Sequence, residues 1–338
     1  MPSLMDLPKE IRAMILDKVI NGRRTPPISP SKSNMVHLVD MRYKVNMGHL
    51  NPYHEKCDTH SPSNSLPLLL TSRQISIETE WVLNRMKKTT YILDISVQNE
   101  LDLFSTWISV PRLTTRLSTL HVDVRLFGHI ITNKAVSRQM GCGGRYGFHL
   151  SFYALLERFL QYGPVGAKKC SGDHFCEDRK VCVENLVLNF HSAETNLPYP
   201  PDNIAYTEWV AKHCGRPWSI DKQTDMSVAY KTRPEWLLCY LAVWLQRMAG
   251  MWYHEANYGA LIYETIGTIT ILLDGRLDTT IDLADRLAKL EFDNATNTMG
   301  HLPREIRLSE FWKWKKATIL RREALGFPVV QPQVPERE

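Results

Sequence analysis

Leu7, Ile11, Ile15 and Val19 recur every four residues near the start of the chain, with Leu16 and Ile20 beside them. That is the helical period, and it predicts one amphipathic helix from Leu7 to Ile20. Pro8 suits the first turn, where its missing N–H has no intrahelical partner, with Asp6 or Leu7 near the cap. Glu10 stands near the positive end of the helix dipole, and Asn21-Gly22 is a natural stop. A second stripe, entered through Leu68 to Leu70 and continued by Ile75, Val82 and Met86, predicts one helix over 68–86. Lys87 and Lys88 follow at its negative end. Between the two, residues 23–66 are broken by Pro26, Pro27, Pro30, Pro52 and Pro62 and rich in Ser and Asn. They read as a long polar loop with room for a short strand or two over 35–45.

Beyond residue 88 the period alternates between types. Leu120, Val122, Val124 and Leu126 face one way and His121, Asp123 and Arg125 the other, the signature of a strand with one buried face. Tyr91–Ile95, Leu186–Phe190 and Thr268–Leu273 also read as strands. Leu101–Ile108, Phe148–Tyr162, Thr207–His213, Pro234–Ala249, Asp282–Leu290 and Leu302–Leu325 read as helices. Strands separated by helices imply crossovers, hence a helix-rich α/β fold with a small, partly parallel sheet of about four strands and flanking helices. The expected organisation is a helical region over 1–88 containing the polar insertion 21–66, an α/β interaction domain over 89–327, and a disordered tail over 328–338.

The 338 residues are 43% hydrophobic and 23% charged, the balance of a globular chain, and the formal net charge of +5 is too mild to suggest nucleic acid as the partner. The most apolar helical run, Trp236–Leu245, is about half a membrane span, so no membrane association is expected. Charged residues occupy the place of a signal peptide's apolar core, which points to an intracellular protein, cytoplasmic or nuclear, whose seven Cys are reduced thiols.

Candidate chemistry is sparse. Cys170, His174, Cys176 and Cys182 offer zinc's preferred donors, but their spacing matches no common zinc module, and free thiols in a loop are the plainer reading. Gly141 to Gly147 is glycine-rich with Arg145, yet it follows no strand and lacks the ending of a phosphate-binding loop. Lys313, Lys315, Lys316, Arg321 and Arg322 make the last helix basic. Its expected arrangement packs Phe311 and Leu320, or Trp314 and Leu325, inward and leaves the basic face in water. Leu302-Pro303-Arg304-Glu305-Ile306-Arg307 nearly repeats Leu7-Pro8-Lys9-Glu10-Ile11-Arg12, which reads as shared capping chemistry and not as a duplicated unit. No catalytic constellation and no cofactor motif stands out, and the chain is read as a non-enzyme.

The pattern L-P-x-E-I-R-x-x-I-L-x-x-V-I at the N-terminus resembles the first helix of an F-box. Leu68-Leu69-Leu70-Thr71-Ser72-Arg73-Gln74-Ile75, with Glu78, resembles the matching segment of F-box-like proteins abundant in filamentous fungi. Trp107 to Pro111 and the strand around Val122 are similar to that group as well. The resemblance implies a protein–protein adaptor whose helical unit docks on a Skp-type subunit of a cullin ubiquitin ligase while the remaining domain selects a protein substrate. It places Leu7, Pro8, Ile11, Ile15 and Leu16 at or near the adaptor-facing surface. The chain departs from the family in one respect: the F-box is a continuous unit, and here residues 21–66 intervene between its two halves.

Overall fold

The computed structural model describes residues 4–31, 33–38, 52–55, 61, 63–98, 102–128, 148–166, 180–192, 233–251, 256–292 and 302–331. Among them are eight α-helices and one mixed sheet of eight strands, twice the number expected. The helices are α1 (Lys9–Ile20), α2 (Ser65–Leu69), α3 (Arg73–Arg85), α4 (Phe148–Tyr162), α5 (Pro234–Ala249), α6 (Ala256–Thr265), α7 (Leu283–Lys289) and α8 (Arg304–Leu325). The strands are β1 (Met35–His37), β2 (Pro52–Glu55), β3 (Thr90–Gln98), β4 (Asp102–Ser109), β5 (Arg116–Phe127), β6 (Cys182–His191), β7 (Ile266–Leu273) and β8 (Arg276–Ile281).

The spatial order is β1-β2-β4-β3-β5-β6-β7-β8. Its centre, β3-β5-β6-β7, is parallel throughout, and antiparallel pairs β7–β8 and β3–β4 flank it. Parallel neighbours need crossovers, and α4 lies between β5 and β6 while α5 and α6 lie between β6 and β7. β1 and β2 come from within the expected polar loop, and β2 adds to β4 in parallel. Part of that loop is therefore a piece of the sheet.

Two local expectations fail for readable reasons. Leu101–Ile108 is strand β4 and not a helix. Leu103 to Thr106 are all buried, so the segment has no polar face to follow, and its Phe, Thr, Trp and Ile favour the pleated sheet. The single helix expected over 68–86 is two. Ser72 is extended and its Oγ accepts the Ile75 N–H at 3.3 Å, which caps α3 and separates it from α2. Conversely, α4 and α5 have the bounds that the amphipathic pattern predicts. The two similar openings are built alike: Pro8 and Pro303 sit at the N-cap with φ near −50° and accept the N–H of Arg12 at 3.0 Å and of Arg307 at 3.1 Å.

One face of the sheet is dry. Ile95, Val122, Val124, Leu188, Ile269 and Ile271 join a single core with Phe152, Phe159, Leu241, Ile262, Leu287 and Phe311 from α4 to α8. The basic helix α8 keeps Lys313 and Lys316 in water, but buries two of its other charges. Lys315 is buried and gives Nζ to the Ala288 and Leu290 carbonyls at 2.9 and 2.7 Å, closing the C-terminus of α7. Arg322 is buried completely. It donates to the carbonyls of Tyr263, Ile266 and Gly267 at 2.8, 2.7 and 2.9 Å, where α6 turns into β7. Burial pushes its guanidinium down to about 10. Gly267 is required there, since a Cβ would stand 2.3 Å from the Glu184 carbonyl oxygen. Trp312 and Leu320 face outward, while Phe311 and Trp314 pack on the core.

Arg322 holds three carbonyls that water cannot reach, so Arg322→Met should cost about 2–4 kcal/mol in urea unfolding with the slope unchanged. Arg322→Lys should recover only part, because an ammonium cannot reproduce the planar fork. Wild-type stability in the Met variant would show that these hydrogen bonds do not hold the junction.

Candidate functional site

Two places on the molecule gather chemistry. The first is the N-terminal helical pair. Leu16 and Ile20 of α1 pack on Ile75 and Val82 of α3, with Ala13, Leu68, Leu83 and Met86 around them, in a core separate from that of the sheet. At its edge Arg12 grips Glu78 with two hydrogen bonds, Nε to Oε2 at 2.9 Å and Nη2 to Oε1 at 2.6 Å. Gln74 adds a third contact to Glu78 at 3.2 Å, and Arg12 Nη1 holds the Leu7 carbonyl at 2.5 Å. The hydrogen bond from Arg12 holds the Glu78 carboxyl below its ordinary value, and the same bond raises Arg12. Asn64, at the end of the intervening segment, clips the C-terminus of α1 through the Ile20 and Gly22 carbonyls at 2.8 and 2.9 Å. Its own N–H reaches the Val110 carbonyl just after β4.

This pairing sets what α1 shows to water. The expected stripe of Ile11, Ile15 and Val19 is not the inner face; Arg12, Leu16 and Ile20 are. Of the residues assigned to a partner, Pro8 and Ile11 are exposed, Leu7 and Ile15 half-buried, and Leu16 buried at 1%. Met14 and Val19 on α1, and Ile77 and Trp81 on α3, are also exposed apolar side chains. Lys9 and Arg85 both lie over the Trp81 ring, at 5.7 and 4.4 Å.

The second place lies on the other side of the sheet, at the carboxyl ends of β5, β6 and β7, where ligands of open parallel sheets are commonly held. The parallel register sets Asp94 beside Asp123 beside Asn189, and Ser96 beside Arg125 beside His191. Arg125 and Asp94 form a two-point ion pair at 2.5 and 2.9 Å, with Asp94 almost wholly buried. Asp123 Oδ1 accepts from His191 Nε2 at 2.7 Å, Asn189 Nδ2 at 3.0 Å and His121 Nε2 at 3.2 Å. Asp274 accepts the Ser192 N–H at 2.9 Å and its hydroxyl at 2.7 Å. These groups surround a cavity of about 380 Å³ with Pro26 and Phe127 on its wall.

Burial pushes the Asp123 carboxyl up, but the hydrogen bonds from His121, His191 and Asn189 outweigh it and leave the group well below the usual carboxylate range. The hydrogen bond to Asp123 correspondingly raises His191. The polar face of β5 is visible in the sequence as His121, Asp123 and Arg125; its partners on β3 and β6 are not. Asp274-Gly275 is a signal readable in the sequence alone. Asp-Gly between apolar runs marks a tight hairpin, and both residues have the positive φ it requires, 47° and 76°.

Cys170, His174, Cys176 and the glycine-rich stretch 141–147 lie outside the described residues, as do 207–213. Cys182 opens β6 with its thiol buried. Among the described residues no group of three or more His, Cys, Asp or Glu is arranged to hold a metal ion, and no helix is long and apolar enough to cross a membrane.

Two pH responses follow. Glu78 is lowered on folding, so its contribution is present above the ordinary carboxylate range and lost as pH falls through its folded value. The protection factors of the Leu16 and Ile20 amides, corrected for the intrinsic exchange rate at each pH, should fall on acidification, and Glu78→Gln should remove that dependence. His191 is raised, so its contribution is present below about pH 6.5 and lost as pH rises through the folded value. Imidazole NMR should find His191 titrating above 6.5 and falling back in Asp123→Asn; a wild-type value at or below 6.5 would contradict the pairing.

No family model matches the chain, and no curated protein or solved structure is found to be similar to it.

Proposed function

We propose that the protein is a non-enzymatic adaptor. In this reading the α1–α3 unit docks on a Skp-type subunit of a cullin ubiquitin ligase, and the sheet domain holds a protein substrate. The observation that carries it is the orientation of α1. The helix closes on α3 through Leu16 and Ile20 and turns Ile11, Met14 and Val19 outward. Exposed apolar side chains grouped on one small unit mark a surface that another protein covers. Leu7, Pro8, Ile11 and Ile15 belong to this surface, and Met14 and Val19 extend it. Leu16 supports it from inside.

The interruption favours a second reading, in which the same surface docks a protein with no ubiquitin-ligase role. Strands β1 and β2 lie between the two helices in sequence, whereas an F-box is continuous.

Co-expression with a Skp-type adaptor separates the two. The intact chain should co-purify with it, and Ile11→Asp with Met14→Asp should weaken the complex at least about tenfold. Both side chains are exposed, so circular dichroism and melting should be unchanged. Failure of the well-folded intact chain to bind removes the ubiquitin-ligase reading and leaves the second.

A further inference from the structure

In the cavity beyond β5, β6 and β7 several side-chain donors are already engaged. Arg125 gives Nε and Nη2 to Asp94, and Nη2 also reaches the Pro27 carbonyl at 2.8 Å and Ser96 Oγ at 3.1 Å. Asn189 Nδ2 is on Asp123 and also 2.9 Å from His191 Nε2, and both donors of Ser192 are on Asp274. The acceptors are not spent in the same way. All three hydrogen bonds to Asp123 fall on Oδ1, and Oδ2 has no partner among the described residues. In charge, Asp94 and Arg125 cancel; Asp123 is faced by the His121 and His191 imidazoles, and Asp274 by His191 and Arg276.

The wall adds a second, independent requirement. Pro26 and Phe127 give the cavity an apolar side next to these carboxylates. The Phe127 ring already receives one cation, with the Arg125 guanidinium 5.1 Å from its centroid. An anion entering here meets two carboxylates. A wholly apolar ligand strips water from Asp123 and returns no hydrogen bond. A cation on a hydrocarbon stem satisfies both sides, since such side chains lay the stem on apolar surface and keep the charged head on polar groups.

We infer that this cavity binds an ammonium or guanidinium group carried on an alkyl stem, its head on Asp123 Oδ2 and its stem along Pro26 and Phe127. The chemistry is shared by a lysine or arginine side chain of a protein and by a free polyamine-like cation. The site is independent of the adaptor reading, because no residue of α1 or α3 takes part, and either can fail without the other.

The test is titration of the full chain with n-butylammonium, agmatine and a blocked Gly-Lys-Gly peptide, followed by calorimetry and by the His191 imidazole signals. n-Butanol and inorganic phosphate are the neutral and anionic controls. Saturable binding of the cations, with a shift of His191, is expected. Asp274→Asn should weaken it about fivefold, the effect of one partly exposed charge. That variant is sterically mild, since Asn tolerates the left-handed conformation of residue 274. Asp123→Asn should abolish it. Tighter binding of the peptide than of agmatine assigns the site to a protein side chain, and the reverse assigns it to a free cation. Absence of saturation by every cation, equal binding of butanol or phosphate, or undiminished binding in Asp274→Asn overturns the inference.

Discussion

The two-point ion pair between Arg12 and Glu78 joins residues 66 positions apart, and the geometry of the N-terminal unit depends on it. Removing either partner of this pair would leave an uncompensated buried charge. Once Arg12 points at α3, the helix has no rotational freedom left. Leu16 and Ile20 lie one and two turns further along the same face and meet Ile75 and Val82. The remaining apolar side chains of α1 must then face away. A chain with an uncharged residue at position 12 could turn Ile11, Ile15 and Val19 inward instead. The charge decides which stripe is buried, and so which apolar side chains are left exposed.

The sheet imposes the second constraint. Four parallel strands in continuous register align every second side chain into rows across β3, β5 and β6. One set of rows is aliphatic and carries α4 to α8. The other holds Asp94, Asp123, Asn189, Ser96, Arg125 and His191. Helices close the aliphatic side, and the buried cations of α8, Lys315 and Arg322, hold backbone carbonyls at the ends of α7 and α6 with no carboxylate in ion-pair contact among the described residues. The polar side gathers its ionisable groups where β5, β6 and β7 end, so the sheet that forms the core also builds the cavity.

What could be read from the sequence divides along the range of the interactions. Phe148–Tyr162 and Pro234–Ala249 are legible to the residue, because a long periodic pattern with local ends needs no distant information. β4 is not legible, because its burial on both faces erases the alternation that marks a strand. β8 is short and exposed along most of its length, and only Asp274-Gly275 announces it. Which face of α1 turns inward is not legible, because hydrophobicity alone ranks Ile11 above Arg12, and Leu16, assigned to the partner surface, is drawn inside with Arg12 by the pairing with Glu78. The His191–Asp123 bond spans 68 positions and exists only through the register of β5 with β6. The polar stripe of β5 was visible, but its meaning depends on strands whose order no local pattern encodes.

The central claim is that α1 and α3 form a closed pair whose outward apolar side receives another protein. Hydrogen–deuterium exchange on the intact chain, alone and with a Skp-type adaptor, tests it most directly. The account predicts slow exchange at Leu16 and Ile20 in the free protein, at a level comparable with Val82. It predicts further slowing across residues 11–19 when the adaptor is present, with β5 and β6 unchanged. Fast exchange throughout α1 in the free protein, or an α1 indifferent to the adaptor, would contradict it.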